Sequence, residues 1–261
     1  MQDVIDLDRY PLDRPGSSDW QALVERCRAD LVTRGMFDLD GLIPGDVAAS
    51  MVEAMIPRFA SDAFLHERMH NIYFKPVEDL PRDHPALRQL RTANRTLCAD
   101  QIMGSPLLRL YDWPEFALFL AAALDKPELH VMDDPLARVN VMAYGAGQAL
   151  NWHFDRSEFT TTLLLQAPEA GGGFEYRTDL RSDTDPNYDG VARLLAGEDP
   201  ESQIVTLSPG TLSVFRGRNT AHRVTPVEGA RARVIAVFSY YERPGVTFTE
   251  AERIGFYGRA R

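Results

Sequence analysis

The chain holds six histidines, and one of them stands two residues before an aspartate in the stretch LNWHFDRSEF, residues 150–159. The stretch has strand character. Alternate side chains of a strand share a face, so His153 and Asp155 point one way and Trp152 and Phe154 the other. A neutral imidazole and a carboxylate a few ångströms apart make half of a metal site. A second imidazole follows at AHRV, where His222 begins another short β segment 69 residues after His153. Two imidazoles and one carboxylate on one face of a metal leave three positions open, the facial triad of non-haem Fe(II). Two open positions suit a bidentate 2-oxo acid and the third suits O2.

A 2-oxo acid with a distal carboxylate also needs a fixed cation at the far end of its pocket. Arg231 and Arg233 lie 9 and 11 residues past His222, at the start of RVIAVFSYY. Arginine is always charged and pairs with a carboxylate bidentately. The two share one parity, so alternation does not separate them. Arg233 sits deeper in the strand and is the preferred anchor, with Arg231 in reserve. On the strand RVNVMAY, Asn140 is the third candidate for this ligand, because a mid-strand amide between valines is otherwise poorly explained.

These residues need strands to position them, and the second half of the chain supplies a run of β segments. LARVNVMAY, NWHFD, FTTTLLLQ, GGGFEYRT, QIVTLS, TLSVFRG, AHRVTP and RARVIAVFSYYE have β texture, separated by glycine, proline and asparagine turns. Helical periodicity dominates the first half. SSDWQALVERCRADLVTRG has Ser17, Ser18 or Asp19 to cap its start, Gly35 to end it, and Trp20, Leu23, Val24, Cys27 and Leu31 on one stripe. Pro44 opens a second helix with Val47, Met51, Met55 and Phe59 on one face. Residues 84–102, HPALRQLRTANRTLCADQI, have the composition of a third, and a fourth runs from Pro114 to near Leu124. TEAERIGFYG is a helical turn ending at Gly258. Helices first and strands second predict an α+β, mainly β domain over 1–261: a helical buttress over 1–128, a β core over 129–243 and a C-terminal segment over 244–261.

Composition narrows the function. The chain has 261 residues, a formal charge of −10, 44% hydrophobic and 25% charged residues. It has no Lys/Arg block, so nucleic acid is not an expected partner. No apolar run approaches the roughly 20 residues of a membrane span, so no membrane partner is expected. The start MQDVIDLDRYPLD has neither a basic n-region nor an apolar stretch, and a cytoplasmic location is expected. Cys27 and Cys98 fit buried thiols better than a disulfide.

The order HxD, a long gap, His and then Arg about ten residues on resembles the Fe(II)/2-oxoglutarate-dependent oxygenases. RVNVMAYGAG, APEAGGGFEY and SPGTLSVFRGRNTAHRVTPV resemble that superfamily's strand leading to the HxD, its glycine-rich strand and the pair delivering the second histidine. The resemblance covers roughly residues 129 to 243. It implies a double-stranded β-helix of jelly-roll, cupin-like type, with Fe(II) on His153, Asp155 and His222, and 2-oxoglutarate and O2 as cosubstrates. It also implies hydroxylation of an unactivated C–H with release of succinate and CO2. LNWHFDRSEFTTTLLLQAP and the pair Phe256–Tyr257 are similar to the bacterial enzymes that hydroxylate or halogenate free amino acids, which implies an amino acid or a derivative as substrate. Halogenases of that group carry Gly or Ala where this chain has Asp155, so hydroxylation is the implied outcome. A carrier-bound or peptidyl substrate is the alternative, and a non-catalytic cupin-like binding module is the rival from another class.

Other residues carry plainer expectations. His66, His70, His84 and His130 are read as surface or capping histidines of helices and turns. Trp152 and Phe154 are read as packing residues, and Asp134 and Glu158 as solvated carboxylates. Asn94 interrupts an apolar stripe and is a further candidate to reach the site. The polar segment 181–202 is either a lid or an insertion.

Overall fold

The computed structural model describes all 261 residues. Its first helix, α1 (Ser18–Arg34), starts where the Ser17 side chain accepts the Trp20 N–H, and ends at Gly35 in the left-handed region (φ 72°). The stripe buries Leu23, Val24, Cys27 and Leu31. Pro44 precedes α2 (Gly45–Ser61) as its cap residue. Helices α3 (Pro106–Tyr111) and α4 (Pro114–Ala123) follow, both opened by proline, whose missing N–H costs nothing in a first turn.

The strands that build the site are β1 (Met36–Leu39), β2 (Phe64–His70), β3 (Leu90–Leu97), β4 (Val139–Tyr144), β5 (Leu150–His153), β6 (Thr160–Gln166), β7 (Phe174–Arg177), β8 (Gln203–Val205), β9 (Leu212–Phe215), β10 (Ala221–Val224) and β11 (Arg233–Phe238). A seven-stranded sheet has the order β1-β9-β6-β11-β4-β3-β2, and a four-stranded sheet the order β8-β7-β10-β5. All these pairings are antiparallel. The architecture is a double-stranded β-helix buttressed by helices. Its outer apolar side holds a cluster of 39 buried residues shared by the large sheet and α1–α4. Most apolar burial is therefore on the helical side, which leaves the face between the sheets free to be polar.

One element differs from expectation. Residues 84–102 are not a helix. A 3-10 turn at Pro85–Leu87 leads into strand β3, and a second turn covers Ala99–Ile102. The Ala, Leu, Arg and Gln content favours a helix, but β3 pairs with β2 over seven residues, and that tertiary pairing decides. The register buries Thr92, Asn94 and Thr96 on one face, an alternation that the helical reading hides. Strands β2 and β3 thus join the short strand β1 in the large sheet from the region read as a mostly helical buttress. His66 and His70 lie on β2, and His130 on a two-residue strand, not on helices or turns.

Segment 181–202 contains helix α5 (Tyr188–Ala196), capped by Asn187 and ended by Gly197. It packs with Trp152, Phe154 and the Pro85–Leu87 turn in a separate cluster of 12 buried residues. Trp152 and Phe154 are packing residues. The chain closes with α6 (Glu250–Tyr257), which has a capping box between Thr249 and Glu252 and Gly258 at its end. Both cysteines are buried thiols. No helix is long and apolar enough to cross a membrane.

Candidate metal centre

Antiparallel pairing of β10 with β5 sets His222 directly opposite His153. Their rings lie 4.1 Å apart, and both side chains are buried. Each ring is fixed by its own strand: His153 Nδ1 meets the Asn151 carbonyl at 2.8 Å and His222 Nδ1 the Thr220 carbonyl at 3.0 Å. A carbonyl only accepts, so both Nδ1 atoms carry the proton, and both Nε2 lone pairs are free. This outer hydrogen bond orients metal-ligating histidines in general.

Asp155 lies just past the end of β5, where its N–H donates to the Gly217 carbonyl. Its carboxylate closes the triad, with Oδ1 3.5 Å from His153 Nε2 and Oδ2 3.3 Å from His222 Nε2. One ligand atom from each of the three residues lies within 4.8 Å of the others. Thr160 Oγ1 donates to Asp155 Oδ2. A methyl group at Gly217 would run into that same oxygen, so only glycine leaves the carboxylate its place. Burial alone would raise the Asp155 pKa. The two imidazoles override it and hold the carboxyl well below its usual range. Burial, helped by His222, lowers the pKa of His153 against the opposing pull of Asp155. Two neutral nitrogen donors and one carboxylate oxygen form the donor set that suits Fe(II).

A cavity of 140 Å³ adjoins the triad, walled by Met142, Tyr144, Phe215, Ile235 and Val237. Arg233 lines the same cavity. This side chain is 2% exposed, forms no ion pair, and has an Nη1 with no hydrogen-bond partner. Burial pulls its pKa down to about 10. Such a cation is costly unless an anion joins it. The chain itself thus offers a chelating corner and an unmatched guanidinium across one cavity, and both fit a 2-oxo dicarboxylate on a metal. Arg231 is exposed and donates to the Pro168 carbonyl, away from the cavity.

Asn140 does not line this cavity. Its Nδ2 donates to the Leu136 and Val139 carbonyls, and its Oδ1 accepts the Tyr257 hydroxyl at 2.8 Å. The mid-strand amide is explained by tying β4 to α6. Asp134 is fully buried, accepts the Leu136, Ala137 and Phe248 N–H groups, and pairs with Arg253. It is structural, not a solvated carboxylate. Asn94 is buried on β3 and accepts the Thr96 hydroxyl. Sequence reasoning passed over Thr160, whose signal was an unusual run of three threonines starting five residues after Asp155. It also passed over the polar residues of β2, whose partner strand β3 falls in the segment 84–102 read as a helix.

The chain matches the family described as Halogenase D over residues 19–249. No curated protein matches it. Among solved structures it is similar to an oxidoreductase of the 2OG-Fe(II) oxygenase family from Burkholderia pseudomallei, at 16% identity over 89% of this chain and 94% of that one, TM-score 0.52. It is also similar to a Pseudomonas putida prolyl-4-hydroxylase, at 16% identity over 85% and 100%, TM-score 0.53. HygX from Streptomyces hygroscopicus, solved with nickel and 2-oxoglutarate bound, matches at 14% identity over 85% and 87%, TM-score 0.55. At these identities the likeness is one of fold. The fold is the one shared by these Fe(II)/2-oxoglutarate-dependent oxygenases. By its sequence the chain belongs to the Halogenase D family.

Proposed function

We propose that the protein is an Fe(II)- and 2-oxoglutarate-dependent dioxygenase that hydroxylates an unactivated C–H of a free amino acid or a small amino-acid derivative. The carrying observation is the pairing of the His153, Asp155 and His222 donor set with the unmatched Arg233 guanidinium across one cavity. His153, Asp155 and His222 would hold Fe(II), and Arg233 would hold the distal carboxylate of 2-oxoglutarate. When bound, iron with 2-oxoglutarate supplies O2 activation and C–H oxidation, one oxygen atom entering the product and one entering succinate as CO2 leaves. The protein's part is to fix geometry and exclude water. Outer hydrogen bonds keep both imidazoles in the ligating tautomer, Thr160 holds one carboxylate oxygen of Asp155, and the apolar walls keep the cavity dry.

The family's name raises halogenation as a second reading, and Asp155 favours hydroxylation over it. A halide on the metal needs the position a carboxylate would take, and this chain fills that position with Asp155, seated by Thr160 and Gly217. The test is succinate release from 2-oxoglutarate with Fe(II) and ascorbate across the proteinogenic amino acids, each with product mass. One amino acid that stimulates turnover and gains one oxygen supports the reading. A chlorinated product in the presence of chloride would overturn hydroxylation, and no metal-dependent consumption of 2-oxoglutarate would overturn the oxygenase.

A further inference from the structure

A second cation without an acceptor lies on the other flank of the metal centre. Strands β2 and β3 extend the inner face of the large sheet beyond β4. Thr96 is opposite Met142 of the cavity wall, and Phe64 is opposite Thr96. Alternation then turns His66, Arg68 and His70 to the same face and leaves Leu65, Glu67 and Met69 exposed. The register sets Arg68 opposite Thr92 and His66 opposite Asn94. Thr92 ties this wall to the metal centre, because its Oγ1 bonds His70 Nε2 at 2.8 Å and accepts the N–H of Asn151, two residues before His153.

Arg68 is half-buried and makes no ion pair, and its buried Nε has no hydrogen-bond partner. Its guanidinium carbon sits 4.2 Å over the Phe74 ring and 5.9 Å from the Phe256 ring. Phe74 in turn lies with its ring centre 4.3 Å from that of His70 and 5.5 Å from that of His153, tilted against both, so this ring lies between Arg68 and a metal ligand. Phe74 holds that place with φ at 56°, a region bulky side chains rarely adopt. Aromatic faces soften a cation's loss of water but leave its N–H edge unsatisfied. No carboxylate forms an ion pair with His66, Arg68 or His70. Loss of water alone depresses the Arg68 pKa. His66 is drawn down to about 4 by burial and then by Arg68. His70 is drawn down to about 4 by burial first, then by His153, Arg68 and His66 against its bond to Asn71. Glu67 pairs with Arg91 on the exposed face. At neutral pH the wall therefore carries one positive charge, on Arg68, with neutral imidazoles and the Asn94 amide beside it.

We propose that this wall is the substrate's binding surface, that Arg68 anchors a carboxylate of the substrate, and that the substrate is a small acid of net charge −1. The inference rests on the oxygenase reading and sharpens its substrate class. An acidic amino acid or an N-acylated neutral one matches a single fixed cation. A basic amino acid would leave its side-chain ammonium without a carboxylate, a costly outcome for a desolvated charge. Phe74 covers the guanidinium where the substrate enters.

The test uses the full chain with Fe(II), 2-oxoglutarate and ascorbate. A rise in melting temperature with 2-oxoglutarate that requires the metal first establishes the cosubstrate site. Its absence overturns the oxygenase reading and this inference with it. Succinate release is then measured with L-aspartate, L-glutamate and N-acetyl-L-leucine, and with L-leucine, L-lysine and L-ornithine. Stimulation by an acid of the first group is expected. For that acid, Arg68→Met should raise KM by about 100-fold with a smaller change in kcat, and Arg68→Lys should recover part of the loss, since lysine keeps the charge but not the bidentate edge. Preference for lysine, ornithine or leucine, stimulation by none of the six, or an unchanged KM in Arg68→Met would overturn the inference while leaving the oxygenase reading standing.

Discussion

The molecule holds two guanidiniums with unsatisfied, buried nitrogens, Arg233 and Arg68, on one sheet face and on opposite flanks of the His153–Asp155–His222 cluster. Their surroundings differ. Arg233 is almost wholly enclosed by β strands and an apolar cavity. Arg68 is half-buried on the edge strand β2, and the aromatic side chains of Phe74 and Phe256 rather than sheet cover it. A dry, rigid pocket suits a ligand that never changes, and a softer edge suits one that varies among relatives on the same fold. On the proposed function, 2-oxoglutarate is the first ligand and the substrate the second.

The metal cluster joins the two ends, so its loss has the largest expected effect. His153→Ala or His222→Ala should abolish metal-dependent binding of 2-oxoglutarate and all succinate release. Asp155→Ala should abolish hydroxylation with or without added chloride. Product mass checks the second point, and full hydroxylation in Asp155→Ala would remove this carboxylate from the metal.

Arg233→Met separates the two ends. Truncating one partner of a buried charge pair costs about 2–5 kcal/mol, so KM for 2-oxoglutarate should rise by about 100-fold or more. Stability should move the other way, because a buried guanidinium without an acceptor disfavours the ligand-free fold. Thermal melts of the ligand-free protein should show Arg233→Met no less stable than the wild type. A large fall in melting temperature would mean that Arg233 is structural.

The two ends were not equally legible in the sequence. The Arg233 end depends on short-range order: HxD at the end of one strand, His222 on its neighbour, and an arginine 11 residues on, at the start of a long β run. Those spacings survive translation into a sheet because period 2 is rigid. The Arg68 end depends on a long-range pairing, β2 with β3, between segments whose local composition favours a helix. Thr92, Asn94 and Thr96 alternate on the buried face with the period of a strand, but the Ala, Leu, Arg and Gln around them have helical composition and mask it. Asn140 failed for a related reason. Its amide was noticed, but its partner, Tyr257, is 117 residues away and not visible from the strand.

A smaller effect tests how the carboxylate is held. Thr160→Val keeps the shape of the side chain and removes the hydroxyl that donates to Asp155 Oδ2. Changes to groups that orient metal ligands typically cost about 10–100-fold in affinity. The lower end is expected here, since backbone at Gly217 also fixes Asp155. Calorimetric titration with Mn(II) would measure it, and Thr160→Ser should restore the wild-type value. Equal affinity in Thr160→Val would leave the seating of Asp155 to Gly217 alone.

The smallest effect concerns the neutrality of the substrate-side wall. Burial holds His66 and His70 at about 4, below the 6.5 of a free imidazole. Between those values the unfolded chain binds more protons than the native one, so native stability rises with pH from about 4 to 6.5 and falls on acidification through that window. Carboxylates also titrate at its lower end, so the clean interval is about pH 5 to 6.5, where they stay ionised. The melting temperature should drop across this interval, and His66→Gln should drop less because one titrating group is gone. An identical drop in both proteins would mean that His66 is charged in the native wall. The wall would then carry a second cation beside Arg68, and the substrate matched to it would be a dianion.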